Sequence, residues 1–202
     1  MARLYLAQHG SARWRVHGRE SLDQLGIAQA AALARLLLDV DLAAVYACPL
    51  PDARHTANII AAVQGIEVRP HVLLRDLDRG PFWGFGPDLA RLDPDLAHAW
   101  QEQPESVRFP GGEGLADLRR RVQRVIATLA ERHRDANVLV VTYDAPMRVA
   151  ASLAMGIDDS HHHEPYLVAP LASLSIIVAR PGELRLESHA EVAHVAGLGE
   201  LT

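Results

Sequence analysis

The sequence predicts an α/β protein, a three-layer α/β/α sandwich around a mostly parallel central sheet. Three observations predict it. Short apolar runs that stop at turn residues alternate along the chain with stretches of helical periodicity, the pattern of repeated β-α-β units. Residues 138–142 are apolar without alternation up to their threonine, as a strand covered on both faces requires. Residues 113–134 carry a single apolar stripe of Leu115, Leu118, Val122, Val125, Ile126 and Leu129, the signature of a helix lying on a sheet.

The elements follow in order. Residues 4–7 form a short apolar run ending at Gln8-His9-Gly10, a buried strand entering a turn. Asp23 opens a helix whose inner face is Leu25, Ala28, Ala32, Leu33 and Leu36. Residues 40–46 read as a second strand, stopped by Cys48-Pro49-Leu50-Pro51. Residues 52–64 read as an alanine-rich helix, and a short strand is expected around Val68. Residues 76–112 differ in kind, because prolines and glycines recur through them. A helix is expected over 88–102, with the remainder a lid-type insertion in one domain spanning 1–202. In the helix of 113–134, Arg119, Arg120, Arg121 and Arg124 sit largely off the apolar stripe and read as a solvated face. A helix over 146–155 follows the fourth strand. Two more strands, 173–179 and 184–188, are divided by a Pro-Gly turn. Ligands of such sheets bind beyond the carboxyl ends of the strands. Gln8-His9, residues 48–52 and Tyr143-Asp144 are therefore expected around one pocket.

Composition narrows the function. The chain has 202 residues, 49% of them hydrophobic, a formal net charge of −5, and arginine for all 20 of its basic residues. A domain of this length buries roughly 70% of its unfolded surface and needs no disulfide or structural metal. The slightly acidic balance without charge blocks argues against nucleic-acid binding. No apolar run reaches the ~18 residues of a membrane span. The start MARLYLAQHG has no signal-peptide core, and one cysteine excludes an internal disulfide framework. A cytoplasmic location and a chain without cofactor or metal are the expectations.

Six motifs then resemble one family in the correct order. LYLAQHGSARW resembles an apolar strand followed by Arg-His-Gly-Glu-Thr-x-Trp. LDQLGIAQA is similar to Leu-Thr-x-x-Gly-x-x-Gln-Ala, and VYACPLPDARHTA to Val-Tyr-Ser-Ser-Pro-Leu-x-Arg-Ala-x-x-Thr-Ala. LRDLDRGPFWG, PGGEGLADL and VLVVTYDAPMR match the later motifs, and EVAHV matches a family tail. The family is the histidine phosphatase superfamily, with the phosphoglycerate mutase-like fold. The resemblance implies a cage of two arginines and two histidines around a phosphoryl group, the first histidine being transiently phosphorylated, with a glutamate as general acid. A phosphate dianion needs several fixed positive donors and an aimed neutral imidazole.

Carried over by position, His9 stands at the nucleophile. Gln8 and Asp52 stand where the two arginines would be. Asp76 stands at the acid, Tyr143 at the second histidine, and Asp144 at the glycine that follows it. Arg54 is two residues from the second arginine position and points to another side of its helix. Arg13 and Arg148 could approach the pocket. A charged hydrogen bond contributes roughly 1.5–3 kcal/mol. Three missing donors therefore remove roughly 4–9 kcal/mol, or about three to six decades in rate if the effects add. Phosphoryl transfer by the family mechanism is not expected.

Two functions of different class remain, with weak residual phosphatase activity as a third. In the first, His9, Asp52, Asp76 and Tyr143 perform acid/base chemistry on a non-phosphorylated small molecule, as an isomerase, cyclase, lyase or hydrolase. Gln8, Arg13, Trp14, Phe82, Trp83 and Cys48 then contact the substrate. Trp14, Phe82, Trp83 and Phe85 are four of the chain's 10 aromatic residues, placed in two short stretches at the family site's rim. In the second, the fold persists as a catalytically inactive protein that binds a ligand or partner. Cys48 reads as a small buried hydrophobe rather than a thiol nucleophile, and His161-His162-His163 as an exposed polar loop rather than a metal site. Tyr143 is equally a volume filler or a functional hydroxyl, and Asp144 is a helix cap. A homodimer is possible on the family's precedent.

Overall fold

The computed structural model describes residues 1–15, 18–82, 89–180 and 182–198. Its core is a six-stranded sheet in the order β5-β4-β6-β1-β7-β8. β1 (Ala2–Gln8), β4 (Leu42–Ala47), β5 (Val68–Pro70) and β6 (Asn137–Thr142) are mutually parallel. β7 (Leu174–Arg180) and β8 (Glu183–Glu191) close one side as an antiparallel hairpin. The unalternating strands are the central ones: β6 buries Val138, Leu139, Val140 and Val141 because helices cover the sheet.

Two helical pairs flank the sheet. α1 (Gln24–Leu36) packs on α2 (Pro51–Gln64), which lies on β4 and β6. α5 (Leu115–Arg132) and α6 (Asp144–Met155) pack on each other and on β1. The α1 start is capped as its sequence demands, with the Asp23 carboxylate accepting from the Gly26 amide at 2.8 Å. Its buried face is partly rotated from the one expected: Ala32 and Leu33 are buried as expected, but Leu36 is 47% exposed and Ala30, Ala34 and Leu37 are buried instead. α1 is held tightly against the loop after β1. A Cβ on Gly26 would stand 1.9 Å from the Ser11 carbonyl oxygen, so only glycine fits there.

Two further differences have local causes. β2 (Ala12–Arg15) and β3 (Gly18–Leu22) form a separate two-stranded sheet, which no alternation pattern announced. The expected helix over 88–102 is two helices, α3 (Leu89–Leu92) and α4 (Pro94–Glu102). Pro94 disfavours helical geometry at the residue before it and starts a new helix instead, with Asp93 capping it through the Leu96 amide at 3.0 Å.

Candidate functional site

Three parallel neighbours, β4, β6 and β1, end side by side, so their carboxyl ends deliver Cys48, Tyr143 and His9 to one region. The His9 backbone is clamped from both directions. Its amide donates to Thr142 at 3.2 Å and its carbonyl accepts from Ala172 at 3.1 Å. Its Nδ1 lies 2.7 Å from the Gly10 carbonyl oxygen. Because a carbonyl only accepts, Nδ1 carries the proton and Nε2 faces Asp52, 3.7 Å from Oδ2.

Asp52 is in the first turn of α2 and fully buried. Its Oδ1 accepts from the Ala53 amide at 2.8 Å and from the Tyr143 hydroxyl at 2.5 Å. A helix N-terminus favours a carboxylate, which helps explain how a charge is tolerated there. Tyr143 is 1% exposed, and its ring lies 4.8 Å from the His9 ring at 60°. One turn further along α2, Thr56 ties the parts together: its hydroxyl donates to the Asp52 carbonyl and accepts from the Gly10 amide. Gln8, also buried, turns its amide nitrogen toward the carbonyls of Ala169 and Pro170. His9, Asp52 and Tyr143 are thus brought together, while the side chain of Gln8 is directed to the segment of Ala169 and Pro170.

Beside this cluster opens a cavity of about 490 Å³, with Asp76, Arg79, Trp100, Asp144, Arg148 and His162 in its wall. Asp76 is half-buried and its carboxylate accepts from the Leu77 amide at 3.0 Å. Arg148 donates to Asp144 at 2.7 Å and to the His162 carbonyl at 3.0 Å. Asp144 is therefore not the helix cap expected of it. It occupies the first helical position, and its carboxylate is taken by Arg148 one turn on and by the Ala169 amide. Of the histidine triplet, His161 is exposed as expected, but His162 and His163 are not. His162 is buried 5.5 Å from the Trp100 ring, and burial, with the charges of Arg148, His163 and Arg79, pushes its pKa down to about 3. His163 donates from Nε2 to the Trp100 carbonyl at 2.7 Å. Among the described residues, no group of three metal-ligating side chains converges.

The other residues singled out by sequence lie apart from the cavity wall. Cys48 is fully buried in the core, and Phe82 packs half-buried against it. Arg13 is exposed on β2. Trp83, Phe85 and the side chain of Trp14 lie outside the described residues.

Arg121 was missed by the sequence reading and corrects the view of its arginine run as solvated. It is buried, and all five of its N–H donors are used. Nε and Nη2 reach Glu113 at 2.9 and 2.8 Å, while Nη1 and Nη2 donate to the carbonyls of Leu73, Arg75 and Asp76 at 2.7–2.9 Å. Arg121 thereby holds the backbone that presents Asp76. Helical spacing could have found it, since Arg121 lies three residues after Leu118 and four before Val125, on the apolar stripe itself. Arg119 is half-buried too, bonded to Ser152, Asp159 and the Ile157 carbonyl.

Comparison with known proteins agrees with this fold. The model of the histidine phosphatase superfamily (branch 1) matches residues 4–192. Phosphoserine phosphatase 1 of Hydrogenobacter thermophilus is 30% identical over 165 residues, 78% of each chain. The adenosylcobalamin/alpha-ribazole phosphatase of Escherichia coli is 28% identical over 162 residues, 77% of this chain and 80% of that one. Among solved structures, YhfR of Bacillus stearothermophilus superposes with a TM-score of 0.88 at 24% identity, covering 96% of this chain and 100% of that one. The chain belongs to the histidine phosphatase superfamily.

Proposed function

We propose that this protein binds a non-phosphorylated small molecule in the cavity walled by Asp76, Trp100 and Arg148 and does not transfer phosphate. The observation that carries the reading is the hydrogen bond from Tyr143 to Asp52 between two buried side chains. A phosphoryl group needs positive donors where it sits. Here a carboxylate and a phenol stand at two of the positions the family motifs assign to such donors, and they satisfy each other. The amide of Gln8, at a third, is directed to backbone carbonyls. Bringing a phosphate in would break these bonds and set it against the charge of Asp52. The cavity suits a small polar molecule with a planar part: Trp100 supplies a flat apolar wall, and Asp76 and Arg148 supply charges of both signs. The segment 76–112, within one domain of 1–202, acts as its lid.

Acid/base turnover is the second reading, favoured by His9 Nε2 facing a carboxylate and by Asp76 in the cavity wall. It stands behind simple binding because His9 is 7% exposed and does not line the cavity.

A broad panel of phosphate monoesters tests the main claim, with His9→Ala as control. No His9-dependent release of phosphate is expected, and turnover at the rates of active relatives overturns the proposal. The combined variant Gln8→Arg, Asp52→Arg and Tyr143→His should gain phosphate binding, read site-specifically at the His9 ring resonances. No gain would mean that these positions do not form a phosphate cage.

A further inference from the structure

A different group of ionisable side chains surrounds Tyr46 on β4, and no part of the candidate site uses it. The Tyr46 hydroxyl lies 2.9 Å from His133 Nε2 and accepts from Arg69 Nη1 at 3.3 Å. The Arg69 guanidinium also lies over the phenol ring, 5.7 Å from its centre. The rings of His71 and His133 stand edge-on to it at 6.3 and 5.7 Å. Arg132, beside His133 at the end of α5, acts by charge on Tyr46, His71 and His133 alike. Four basic side chains from two separate segments, 69–71 and 132–133, thus converge on one nearly buried hydroxyl.

The group lacks a counter-charge. Among the described residues neither Arg69 nor Arg132 forms an ion pair, whereas Arg119, Arg121 and Arg148 each pair with a carboxylate. His71 Nδ1 is buried from solvent without a hydrogen-bond partner. The partial negative charge at the end of α5 accounts for a cation at Arg132 or His133, but not for Arg69 and His71, which come from β5 and the loop after it. Burial, and then the nearby arginine charge, holds both imidazoles below the usual histidine range. Burial opposes ionisation of the phenol, but the two arginines outweigh it and bring the hydroxyl below the usual tyrosine range. The phenol's shift is that of nearby positive charge, and the same charge adds to burial at the imidazoles. An anion seated there would gain forked donors from two guanidiniums and relieve their mutual repulsion.

We infer that Arg69, Arg132, His71 and His133, arranged around the Tyr46 hydroxyl, bind a small phosphate-type oxyanion outside the candidate active site. The two guanidiniums supply charged donors, and the imidazoles donate once protonated. The anion's source is free inorganic phosphate or the phosphate group of a larger molecule. The inference does not depend on the reading of the cavity.

The test is a titration of the whole protein with inorganic phosphate, and separately with phosphoserine as a phosphate monoester, followed by the ring proton resonances of the histidines. The expected result is a saturable shift at His71 and His133 with a rise in both pKa values. The combined variant Arg69→Gln and Arg132→Gln, altered at exposed side chains, should weaken binding at least tenfold. Response to inorganic phosphate alone points to the free ion, and tighter response to the monoester points to a carried group. Four results overturn the inference: no saturable shift, the same shift with sodium chloride at equal ionic strength, an undiminished shift in the variant, or shifts confined to other histidines.

Discussion

Glu113–Arg121 and His9–Asp52–Tyr143 both bury charge near the carboxyl end of the sheet, and they satisfy it by opposite means. Arg121 and Glu113 are opposite charges at neutral pH, joined by two hydrogen bonds, with the remaining guanidinium donors spent on three backbone carbonyls. Glu113 further accepts from Arg75 and from the Asp78 amide. Asp52 is held by a phenol and a helix amide, with a histidine at 3.7 Å whose charge depends on pH. The first cluster cannot change state without breaking, which suits a brace. The second joins a carboxylate, a phenol and an imidazole without any guanidinium to fix it. One carboxylate therefore serves rigidity and the other keeps a chemical option open.

The largest expected effect lies in the brace. Arg121→Ala leaves Glu113 buried without its main partner and three carbonyls without donors, and should cost about 3–5 kcal/mol of stability in urea denaturation. Arg121→Lys should recover only part of this, because an ammonium cannot reproduce the fork. A loss below ~1 kcal/mol would show that the two clusters do not differ as described.

Next comes acid. Burial opposes the charge on Glu113 but the Arg121 guanidinium outweighs it, so its native pKa lies below the ordinary 4.5. That contribution is present above pH 4.5 and lost as pH falls through the lower native value. His162 moves from 6.5 to about 3. The unfolded chain takes up a proton in that window while the native ring stays neutral, so stability also falls as pH drops below 6.5. One pKa unit is about 1.4 kcal/mol, which puts the His162 contribution at up to about 5 kcal/mol. His162→Phe, which keeps a ring against Trp100, should flatten the slope between pH 6.5 and 4.5 and leave the Glu113 fall intact. A native His162 resonance titrating near 6.5 would refute this.

Tyr143→Phe probes the second cluster, removing one donor from Asp52 at about 1–3 kcal/mol. It should also shift the titration of His9, which Arg121 variants should leave unchanged. The smallest effect belongs to the exposed face of α5. Arg120, ion-paired with Asp117 at the surface, should lose under ~1 kcal/mol on change to Ala, a direct contrast with its neighbour Arg121.

The sheet was legible in sequence because its central strands are unbroken apolar runs and its turns carry proline or glycine. α5 was legible from its stripe, and His9, Gln8, Asp52 and Tyr143 from strand ends and motif register. What was hidden has a common cause. Leu36 and Leu37 both fit an apolar face, and only the packing of α1 on α2 decides which is inside. Arg121 reads as polar, and its burial depends on Glu113 and on a loop some 45 residues upstream. His161-His162-His163 looks solvated until Trp100 is placed beside it.

The sequence by itself determined the family, the order of the strands in the main sheet along the chain and which side chains stand at their carboxyl ends. Those follow from local periodicity and from motifs read along one chain. The tertiary structure decided which charges are buried, which are paired and where space is left. Tyr143 reaches Asp52 across 91 residues, and Tyr46 meets His133 across 87. Such contacts are set by the sheet's strand order, which places distant segments side by side, and by the need of each buried polar group to find a partner.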